Sequence, residues 1–276
     1  MLWMCLRTVS AALRIGSSQL CIAQKYHWSQ LKNSGDIVKT DVLSLAHALF
    51  DPPSTNYNLN HCSPDLYSLV PDNGFVLDIG SRGTEASYSF SSDRLTKRGI
   101  RLIGFDIEFI EGVALIADAC AVPIKDDSID YVLCISVLEY VPIPQQAINE
   151  ALRVLKPGGY IYLSTPFVFP FHPPPTDLFR FSPDGLRILA KGFQAIQIGS
   201  NRGPASTFCH LLAHFLAITF CFNSKRVHGF LLDFFKWMVF WIKYLDRFIG
   251  NYEVAKHLYG NAFFFGRKPM KLENDR

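Results

Sequence analysis

The chain has 276 residues, enough for one large domain or two small ones, and it can bury a core without disulfides or a structural metal. Apolar residues make up 49% and charged residues 18%, which excludes a disordered chain, and the net charge of +3 is too small to indicate a nucleic-acid-binding protein. The seven cysteines form no C-x-x-C pair. That pattern is typical of reduced thiols in a reducing compartment, not of a disulfide framework or a zinc site.

The N-terminal segment is basic and free of acids. The first 35 residues contain no Asp or Glu and carry Arg and Lys among serines and short apolar runs. An organellar transit peptide has this composition, but an ordinary N-terminal helix or an early start codon would give it too. Residues 36–50 predict a helix that begins at Asp36 and ends before Pro52. We therefore expect an N-terminal helical extension over 1–62, with 1–35 as a candidate targeting segment.

From residue 74 onward, short apolar runs alternate with helical stretches. The runs predict strands at 75–79, 100–105, 113–116, 131–136, 160–164, 193–199 and 261–265. Helices are predicted between them at 84–97, 120–129, 144–155 and 183–191. This alternation indicates a parallel sheet with helices on both faces, so the sequence predicts an α/β fold.

Residues 204–256, between the sixth and seventh predicted strands, are unusually apolar. Residues 203–224 contain no formally charged side chain. On a helix over 229–250, at ~100° per residue, a narrow charged stripe lies opposite a wide apolar face. The stripe contains Asp233, Lys236, Lys243 and Arg247, and the apolar face contains Phe230, Phe234, Trp237, Trp241, Leu245 and Phe248. We expect a helical insertion over 204–256, between a core at 63–203 and a last strand and tail at 257–276.

The insertion has two interpretations. In the first it contacts a membrane peripherally: Lys225, Arg226 and the cations of the stripe meet anionic phospholipid heads, and the aromatic face enters the acyl boundary. In the second it forms a lid that buries the same face on the domain. Charges interrupt the second segment, so we do not expect a transmembrane hairpin. We favour membrane contact or a lipid-like acceptor.

A glycine turn follows the first predicted strand. Residues 76–84 (VLDIGSRGT) comprise a buried strand, a turn of small residues and the start of a helix. Gly80 lets the backbone approach a ligand closely, and the N–H groups of the following helix favour an anionic group. Asp106, after the next strand, is placed to accept hydrogen bonds from ribose hydroxyls, because parallel strands end at one edge of the sheet. Together these residues predict a site for a nucleoside-containing cofactor.

In these segments the chain resembles the class I S-adenosylmethionine-dependent methyltransferases, of the methyltransferase type 11 kind. Similar segments follow in the family's order: VLDIGSRGT, FDIE at 105–108, ADA at 117–119 with VPI at 122–124, SIDYV at 128–132, SVLEYV at 136–141 and RVLKPGG at 153–159. They extend over about half of the chain. The resemblance implies a Rossmann-like sheet of seven strands with an antiparallel last strand, and S-adenosyl-L-methionine as the cofactor.

The resemblance also implies roles for single residues. Asp78 and Gly80 support the turn and the methionine moiety, and Asp106 binds the ribose. Ser136 lies near the methionine end, and Tyr140 faces the acceptor where many relatives have His. Asp118 and Ala119 face the adenine. The whole expected cofactor-binding set is Asp78, Gly80, Ser81, Arg82, Gly83, Asp106, Ile107, Asp118, Ala119 and Ser136.

The first motif departs from the family at two positions. Relatives usually have small residues two and four positions after Gly80, where this chain has Arg82 and Thr84. The Arg82 side chain must point out of the crevice or reach the cofactor carboxylate as a cation. This departure keeps a rival open, a catalytically inactive interaction protein with a methyltransferase fold. A nicotinamide-dependent oxidoreductase would need G-x-G-x-x-G after the first strand, which this chain lacks.

A narrower resemblance concerns the segment after the fifth strand. The pattern P-x-H-x-x-P-x-D-x-x-R over 170–180 is similar to that of a bacterial subgroup. A neutral His172 would take a proton from an acceptor hydroxyl, Asp177 would orient it, and Arg180 would hold an anionic group of the acceptor. These are the candidate catalytic residues. An alternative of equal weight is that Asp177 and Arg180 form an ion pair that stabilises the loop and that His172 caps it.

The expected activity is methyl transfer from S-adenosylmethionine to an oxygen atom of a small-molecule or lipid-linked acceptor. No nucleic-acid partner is expected. His210 and His214 share a helix face without a further ligand, so no metal site is predicted. We expect a cytoplasmic protein with peripheral membrane contact, or an organellar one if 1–35 is a transit peptide.

Overall fold

The computed structural model describes residues 53–57, 59, 66–81, 92–108, 113–173 and 176–270. The predicted helix over 36–50 and the candidate targeting segment lie outside these residues, as do Arg82, Gly83 and Thr84 of the first motif.

Seven strands form one sheet. They are β1 (Phe75–Ile79), β2 (Arg101–Asp106), β3 (Leu115–Ile116), β4 (Ile129–Ile135), β5 (Leu155–Pro166), β6 (Gln194–Gly199) and β7 (Asn261–Arg267). The order across the sheet is β3-β2-β1-β4-β5-β7-β6. Strand β7 is antiparallel to β5 and β6, and the pairs from β3 to β5 are parallel. The predicted α/β fold with a Rossmann-like, seven-stranded sheet is confirmed.

The α-helices of the described residues range from 4 to 17 residues in length. They are α1 (Leu66–Leu69), α2 (Ser92–Lys97), α3 (Pro144–Val154), α4 (Pro183–Leu189), α5 (Pro204–Phe220), α6 (Lys225–Val239) and α7 (Asp246–Ile249). Segments of 3-10 helix cover Phe240–Leu245 and Glu253–Leu258. The insertion predicted between the last two strands is therefore present, and it extends from α5 to the second 3-10 segment.

Both faces of the sheet are covered, because successive side chains of its central strands point to opposite sides. On one face the strands pack against the buried side of α3, where small and branched residues recur at helical spacing, and against α4. The residues of this side of α3 are Ala147, Ile148, Ala151 and Val154. On the other face Tyr131, Tyr162 and Phe263 pack with Leu95 of α2.

Residues 120–128 form turns, so the short helix that we predicted there is wrong. Arg153 of α3 donates to the carbonyl oxygens of Val122 at 2.7 Å and Ile124 at 2.8 Å. The Glu150 carboxylate accepts from the Val122 N–H at 2.9 Å. In a helix these main-chain groups would bond to one another, but here they bond to side chains of α3. The contacts therefore hold the segment against α3 in a non-helical conformation.

The single helix predicted over 229–250 is also interrupted. Helix α6 ends at Val239, and the 3-10 segment and α7 follow it. A 3-10 helix has about 3.0 residues per turn, so the segment changes the direction in which later side chains point. Asp246, which was not part of the predicted stripe and directly precedes Arg247, is 0% exposed.

The Asp246 carboxylate closes the insertion on itself. Its two oxygens accept from the N–H groups of Ala205 and Ser206, each at 2.8 Å, in the first turn of α5. A side chain at Gly203 would meet this carboxylate, since a Cβ there would lie 2.4 Å from Asp246 Oδ1. The first N–H groups of a helix have no partner within the helix. Asp246 therefore supplies from the far end of the insertion the cap that α5 lacks locally.

The apolar face of the insertion points to the outside. Its six side chains, which we call the aromatic surface (Phe230, Phe234, Trp237, Trp241, Leu245 and Phe248), are between 44% and 69% exposed. Lys236 pairs with Asp233 at 3.2 Å, and Lys243 Nζ donates to the Ser54 carbonyl oxygen at 2.6 Å. The lid interpretation, in which this face is buried on the domain, is therefore wrong. Within the described residues, no helix has both the length and the apolar character needed to cross a bilayer.

We predict that Asp246→Ala lowers the free energy of unfolding by roughly 2–4 kcal/mol, because it removes a buried charge-assisted cap of two main-chain N–H groups. Chemical denaturation of the full chain measures the change. The control is Asp184→Ala, whose carboxylate is exposed in the first turn of α4 and pairs with exposed Arg187. The control should change stability by less than about 0.5 kcal/mol. Equal losses in the two variants would contradict the capping role.

Candidate functional site

The carboxyl ends of the parallel strands meet at one edge of the sheet and line a cavity of about 810 Å³. The cavity begins beside β1, β2 and β3 and extends past β4 and β5 to the start of β7. Its lining at the first end contains Gly80, Asp106 and Asp118, and at the other end Phe169, His172 and Arg202. We call these the cofactor end and the acceptor end.

The turn after β1 is closely packed. Gly80 has a φ of +74°, and a Cβ there would lie 2.2 Å from Val137 Cγ2. Both the backbone conformation and the lack of space therefore exclude a larger residue. The N–H groups of Gly80 and Ser81 both donate to the Phe105 carbonyl oxygen, at 2.9 and 3.0 Å. The Ser81 hydroxyl lies over Gly104, where a Cβ would approach it to 2.6 Å. The turn is thus held against β2 and β4.

Asp78 lies beneath this turn, at the end of β1. Burial raises the pKa of its carboxyl to about 6, with a hydrogen bond from Ser81 acting in the opposite direction and the Asp106 charge adding to the rise. Its Oδ1 is buried and has no hydrogen-bond partner among the described residues. A buried carboxylate in this state is stabilised by a nearby cation, so the group favours a positively charged ligand above the turn.

The expected ribose and adenine residues lie on the cavity wall. Asp106 Oδ1 accepts from the Glu108 N–H at 3.1 Å, and Asp118 Oδ1 accepts from the Cys120 N–H at 2.8 Å. Each carboxylate is fixed by a local turn while it lines the cavity. Ile107 lies between them along the wall and is 68% exposed, which provides an apolar surface for a flat ring. Ala119 is buried and also lines the cavity.

Ser136 and Tyr140 continue the wall after β4. Ser136 adopts a φ of +54°, which is uncommon for a non-glycine residue, and its N–H donates to the Ser164 carbonyl oxygen at 2.8 Å. The Tyr140 ring contacts the His172 ring edge-on at 5.5 Å between centroids. The residues present at the cofactor end fit an adenosyl cofactor: a glycine turn without room for a Cβ, two fixed carboxylates, an exposed apolar side chain and a buried carboxylate oxygen without a partner.

The segment 167–182, which we call the proline loop, holds His172 at the acceptor end. His172 Nδ1 lies 3.2 Å from the Pro170 carbonyl oxygen and 3.3 Å from Asp177 Oδ2. Arg180 Nη2, a donor, lies 3.4 Å from the same nitrogen. Because the two nearer neighbours are acceptors, we assign the proton to Nδ1, which leaves the lone pair on Nε2. Asp177 also accepts from the His172 N–H at 3.0 Å. Asp177 therefore orients the ring from two directions.

Arg180 does not face the cavity. Its guanidinium pairs with both oxygens of Asp177 and also donates to the carbonyl oxygens of Phe179 and Pro170. This ion pair lowers the pKa of Asp177 to about 2. The guanidinium is occupied by the proline loop, so our expectation that it holds an anionic acceptor group needs correction, and the loop-stabilising pair of the alternative is the arrangement present.

Glu139 connects the proline loop to the segment after β4. Its carbonyl oxygen accepts from the N–H groups of Leu178 and Phe179, at 2.8 and 3.1 Å. Its side chain is 0% exposed, neither carboxylate oxygen has a hydrogen-bond partner among the described residues, and burial raises its pKa to about 7. The two hydrogen bonds to the Glu139 carbonyl oxygen thus hold the proline loop close to the end of β4.

The sequence did not indicate several residues of the acceptor end. They come from the segment before α1, from the proline loop and from the chain on either side of the insertion: Asn56, Phe169, Asn201, Arg202, Gly260 and Asn261. The polar triplet 201–203, directly before an uncharged helix, was the available signal for Arg202. His210 and His214 lie next to this end, with ring centroids 4.7 Å apart, and no cluster in the described residues has the donors for a metal ion.

Comparison with known proteins agrees with this geometry. Residues 77–163 match the family model described as a methyltransferase domain. An uncharacterized methyltransferase of Mycobacterium leprae is 36% identical over 110 residues, which are 36% of this chain and 39% of the length of that relative. A ubiquinone biosynthesis O-methyltransferase of Leptothrix cholodnii is 26% identical over 144 residues, which are 44% of this chain and 59% of that relative.

Among solved structures, a Haemonchus contortus phosphoethanolamine N-methyltransferase 2 in complex with S-adenosyl-L-methionine is similar at 17% identity, covering 74% of this chain and 50% of that one, with a TM-score of 0.48. The family match and the strand order support S-adenosylmethionine as the cofactor. Residues 77–163 are therefore similar to a methyltransferase domain, and the chain spans less than half the length of the Mycobacterium leprae relative that it matches.

Proposed function

We propose that this protein transfers the methyl group of S-adenosylmethionine to a hydroxyl oxygen of a small-molecule acceptor. The observation that carries the proposal is the continuity of the cavity, which joins the carboxylates of the cofactor end to His172. Its volume of about 810 Å³ lies within the usual range of ligand pockets, roughly 300–1,000 Å³, near the upper limit. There is room for a nucleoside cofactor and a small second ligand.

At the cofactor end the residues of the chain would bind and orient S-adenosylmethionine. When bound, S-adenosylmethionine supplies a methyl group that its sulfonium makes electrophilic. Asp106 accepts hydrogen bonds from ribose hydroxyls, Asp118 and Ile107 hold the adenine edge and face, and the glycine turn receives the methionine moiety. The buried Asp78 carboxylate favours the positive charge above it.

At the acceptor end His172 acts as the general base. Its Nε2 would take the proton of the acceptor hydroxyl, and the oxygen would then receive the methyl group that bound S-adenosylmethionine supplies, with S-adenosylhomocysteine as the leaving group. Asp177 keeps the proton on Nδ1 and stabilises the imidazolium that results. The transfer is direct, so most of the acceleration comes from holding both ligands in line in a dry pocket. The name of the Leptothrix relative, an O-methyltransferase, supports an oxygen acceptor.

The rival function is that of an inactive interaction protein with a methyltransferase fold. The departure at Arg82 and Thr84 favours it, and both residues lie outside the described part of the chain. Cofactor binding discriminates between the two functions.

We predict that S-adenosylmethionine binds the full chain and that Asp106→Ala weakens binding by about tenfold or more, because a charge-assisted hydrogen bond contributes ~1.5–3 kcal/mol. Isothermal titration measures both affinities. The control is Asp72→Ala, whose exposed carboxylate pairs with Arg98 away from the cavity. Absence of binding to the unaltered chain at millimolar cofactor would favour the rival, and an unaffected Asp106→Ala would remove the ribose assignment.

We predict that His172→Ala lowers turnover by roughly 10²–10⁴-fold and leaves cofactor affinity within about twofold, since general bases contribute in that range. Untargeted mass spectrometry of extracts, searched for a shift of one added CH₂ group, first identifies an acceptor for the assay. His257→Ala, an exposed histidine of the second 3-10 segment, is the control. Full activity of His172→Ala would assign this residue to loop structure alone.

We also propose that the aromatic surface contacts an anionic phospholipid surface. Lys225, Arg226 and Arg247 are exposed on the insertion, while Asp246 is buried and Asp233 is partly buried against Lys236. The outward charge near the aromatic surface is therefore mainly basic, which complements anionic headgroups, and Trp and Phe side chains suit the interfacial region. Lys236 and Lys243, bonded within the fold, are left out of this contact. A lipid-linked acceptor and a cytoplasmic or organellar location stay predictions.

We predict that the full chain floats with vesicles containing phosphatidylserine and not with vesicles of phosphatidylcholine alone. Reversal of Lys225, Arg226 and Arg247 to Glu should release the protein, as should Trp237→Ala with Trp241→Ala, because each change removes one of the two attractions. Lys191→Glu, an exposed change after α4, is the matched control. If neither the charge reversals nor the Trp→Ala changes reduce flotation, the proposal is contradicted.

A further inference from the structure

Arg202 is held firmly at the acceptor end of the cavity. Its N–H donates to Ser200 Oγ at 3.0 Å and to Asn261 Oδ1 at 3.1 Å, and its carbonyl oxygen accepts from the Ser200 hydroxyl at 2.9 Å and from the Gly260 N–H at 3.2 Å. The side chain runs across Gly260, where a Cβ would lie 2.2 Å from Arg202 Cδ. The missing side chain at position 260 is thus what gives the arginine its path into the cavity.

The guanidinium of Arg202 has no acidic partner in the part of the chain that the structure describes. Arg153 pairs with Glu150 and Asp126, and Arg180 pairs with Asp177. Arg202 instead donates from Nε to Asn56 Oδ1 at 3.3 Å and lies over the Phe169 ring at 5.2 Å.

The surroundings of Arg202 do not compensate its charge. Burial lowers the pKa of the guanidinium, and burial together with Arg202 lowers the pKa of nearby His210 to about 3, so His210 is neutral. Arg202 is partly buried, and a cation withdrawn from water without a counter-charge is costly unless a ligand completes its hydrogen bonds. The Thr165 hydroxyl oxygen, which lines the same cavity, is buried and also lacks a partner in the described residues.

We propose that Arg202 binds an anionic group of the methyl acceptor, a carboxylate or a phosphate, at the end of the cavity opposite the cofactor turn. The inference rests on the proposed function, since it treats this end of the cavity as the acceptor site. The flat guanidinium donates in a fork that matches either anion, and the neutral Phe169 and His210 rings exclude competing charge. Arg202 thereby takes the role that we had expected of Arg180.

The position of Arg202 favours the acceptor over the cofactor as the source of the anion. Arg202 follows β6 and packs on the start of β7, whereas the glycine turn follows β1, and β4 and β5 lie between them in the sheet. The His172 and Tyr140 rings line the same end of the cavity as Arg202. The Phe169 ring lies between His172 and Arg202, and its centroid is 5.0 Å from that of the His172 ring. An acceptor anchored at Arg202 would thus pass beside the proposed base.

The test uses the full chain saturated with S-adenosylhomocysteine and measures thermal shifts with benzoate, inorganic phosphate and the neutral amide benzamide. A ligand that binds the folded state raises Tm, and the rise grows with the logarithm of its concentration relative to its dissociation constant. We expect benzoate or phosphate to raise Tm while benzamide does not, and the more effective anion identifies the chemical class. Arg202→Gln should weaken this anion binding about tenfold or more. Arg187→Gln, an exposed arginine of α4, should bind as the unaltered chain does.

Two further readouts separate the possible failures. Arg202→Gln should bind S-adenosylhomocysteine within about twofold of the unaltered chain and should be no less stable without anions, because it removes an unpaired buried charge. Loss of cofactor binding with unchanged anion binding would overturn the proposal, as would equal effects of benzoate and benzamide or the absence of any anion effect. If no cofactor binds but the anion effect still depends on Arg202, the proposed methyltransferase activity fails and the anion site stands.

Discussion

The acceptor end of this protein depends on the Asp177 carboxylate and its ion pair with Arg180. Asp177 is 1% exposed at its side chain, accepts from the His172 N–H and lies beside His172 Nδ1. One acid therefore fixes the tautomer of the candidate base, and it takes up the only guanidinium of the described proline loop. The pair makes the loop rigid where it faces the cavity, and it leaves recognition of an anion to a residue from another part of the fold.

The two ends of the cavity are built in different ways. The cofactor end comes from consecutive strand-and-turn units, in which each carboxylate is fixed by an N–H group two residues further on. The acceptor end combines the proline loop with the residues that enter and leave the insertion, and the Phe167 N–H links them by donating to the Gly260 carbonyl oxygen at 3.0 Å. Local turns thus define the first end, and contacts between distant segments define the second.

The helical insertion keeps part of its charge within the fold and exposes its aromatic rings. Asp246 caps α5 and Lys243 bonds to Ser54, whereas Lys225, Arg226 and Arg247 stay exposed beside the aromatic surface. Helix α5 packs against α6 through small residues such as Ala213, with Leu232 and Phe235 of α6 packed against them. Exposed apolar surface of this extent usually marks an interaction site.

The sequence by itself determined the sheet and the cofactor end. Alternating apolar runs predict the strands, and a glycine turn with acids at successive strand ends marks a nucleoside site, because these signals are local in the chain. The direction of the insertion, the occupation of Arg180 and the place of Arg202 were decided by the tertiary structure. A helical pattern gives two faces but not which one meets the protein, and a charged residue does not reveal its partner. Both depend on contacts between residues far apart in the chain, such as Asp246 with Ala205 and Arg202 with Gly260.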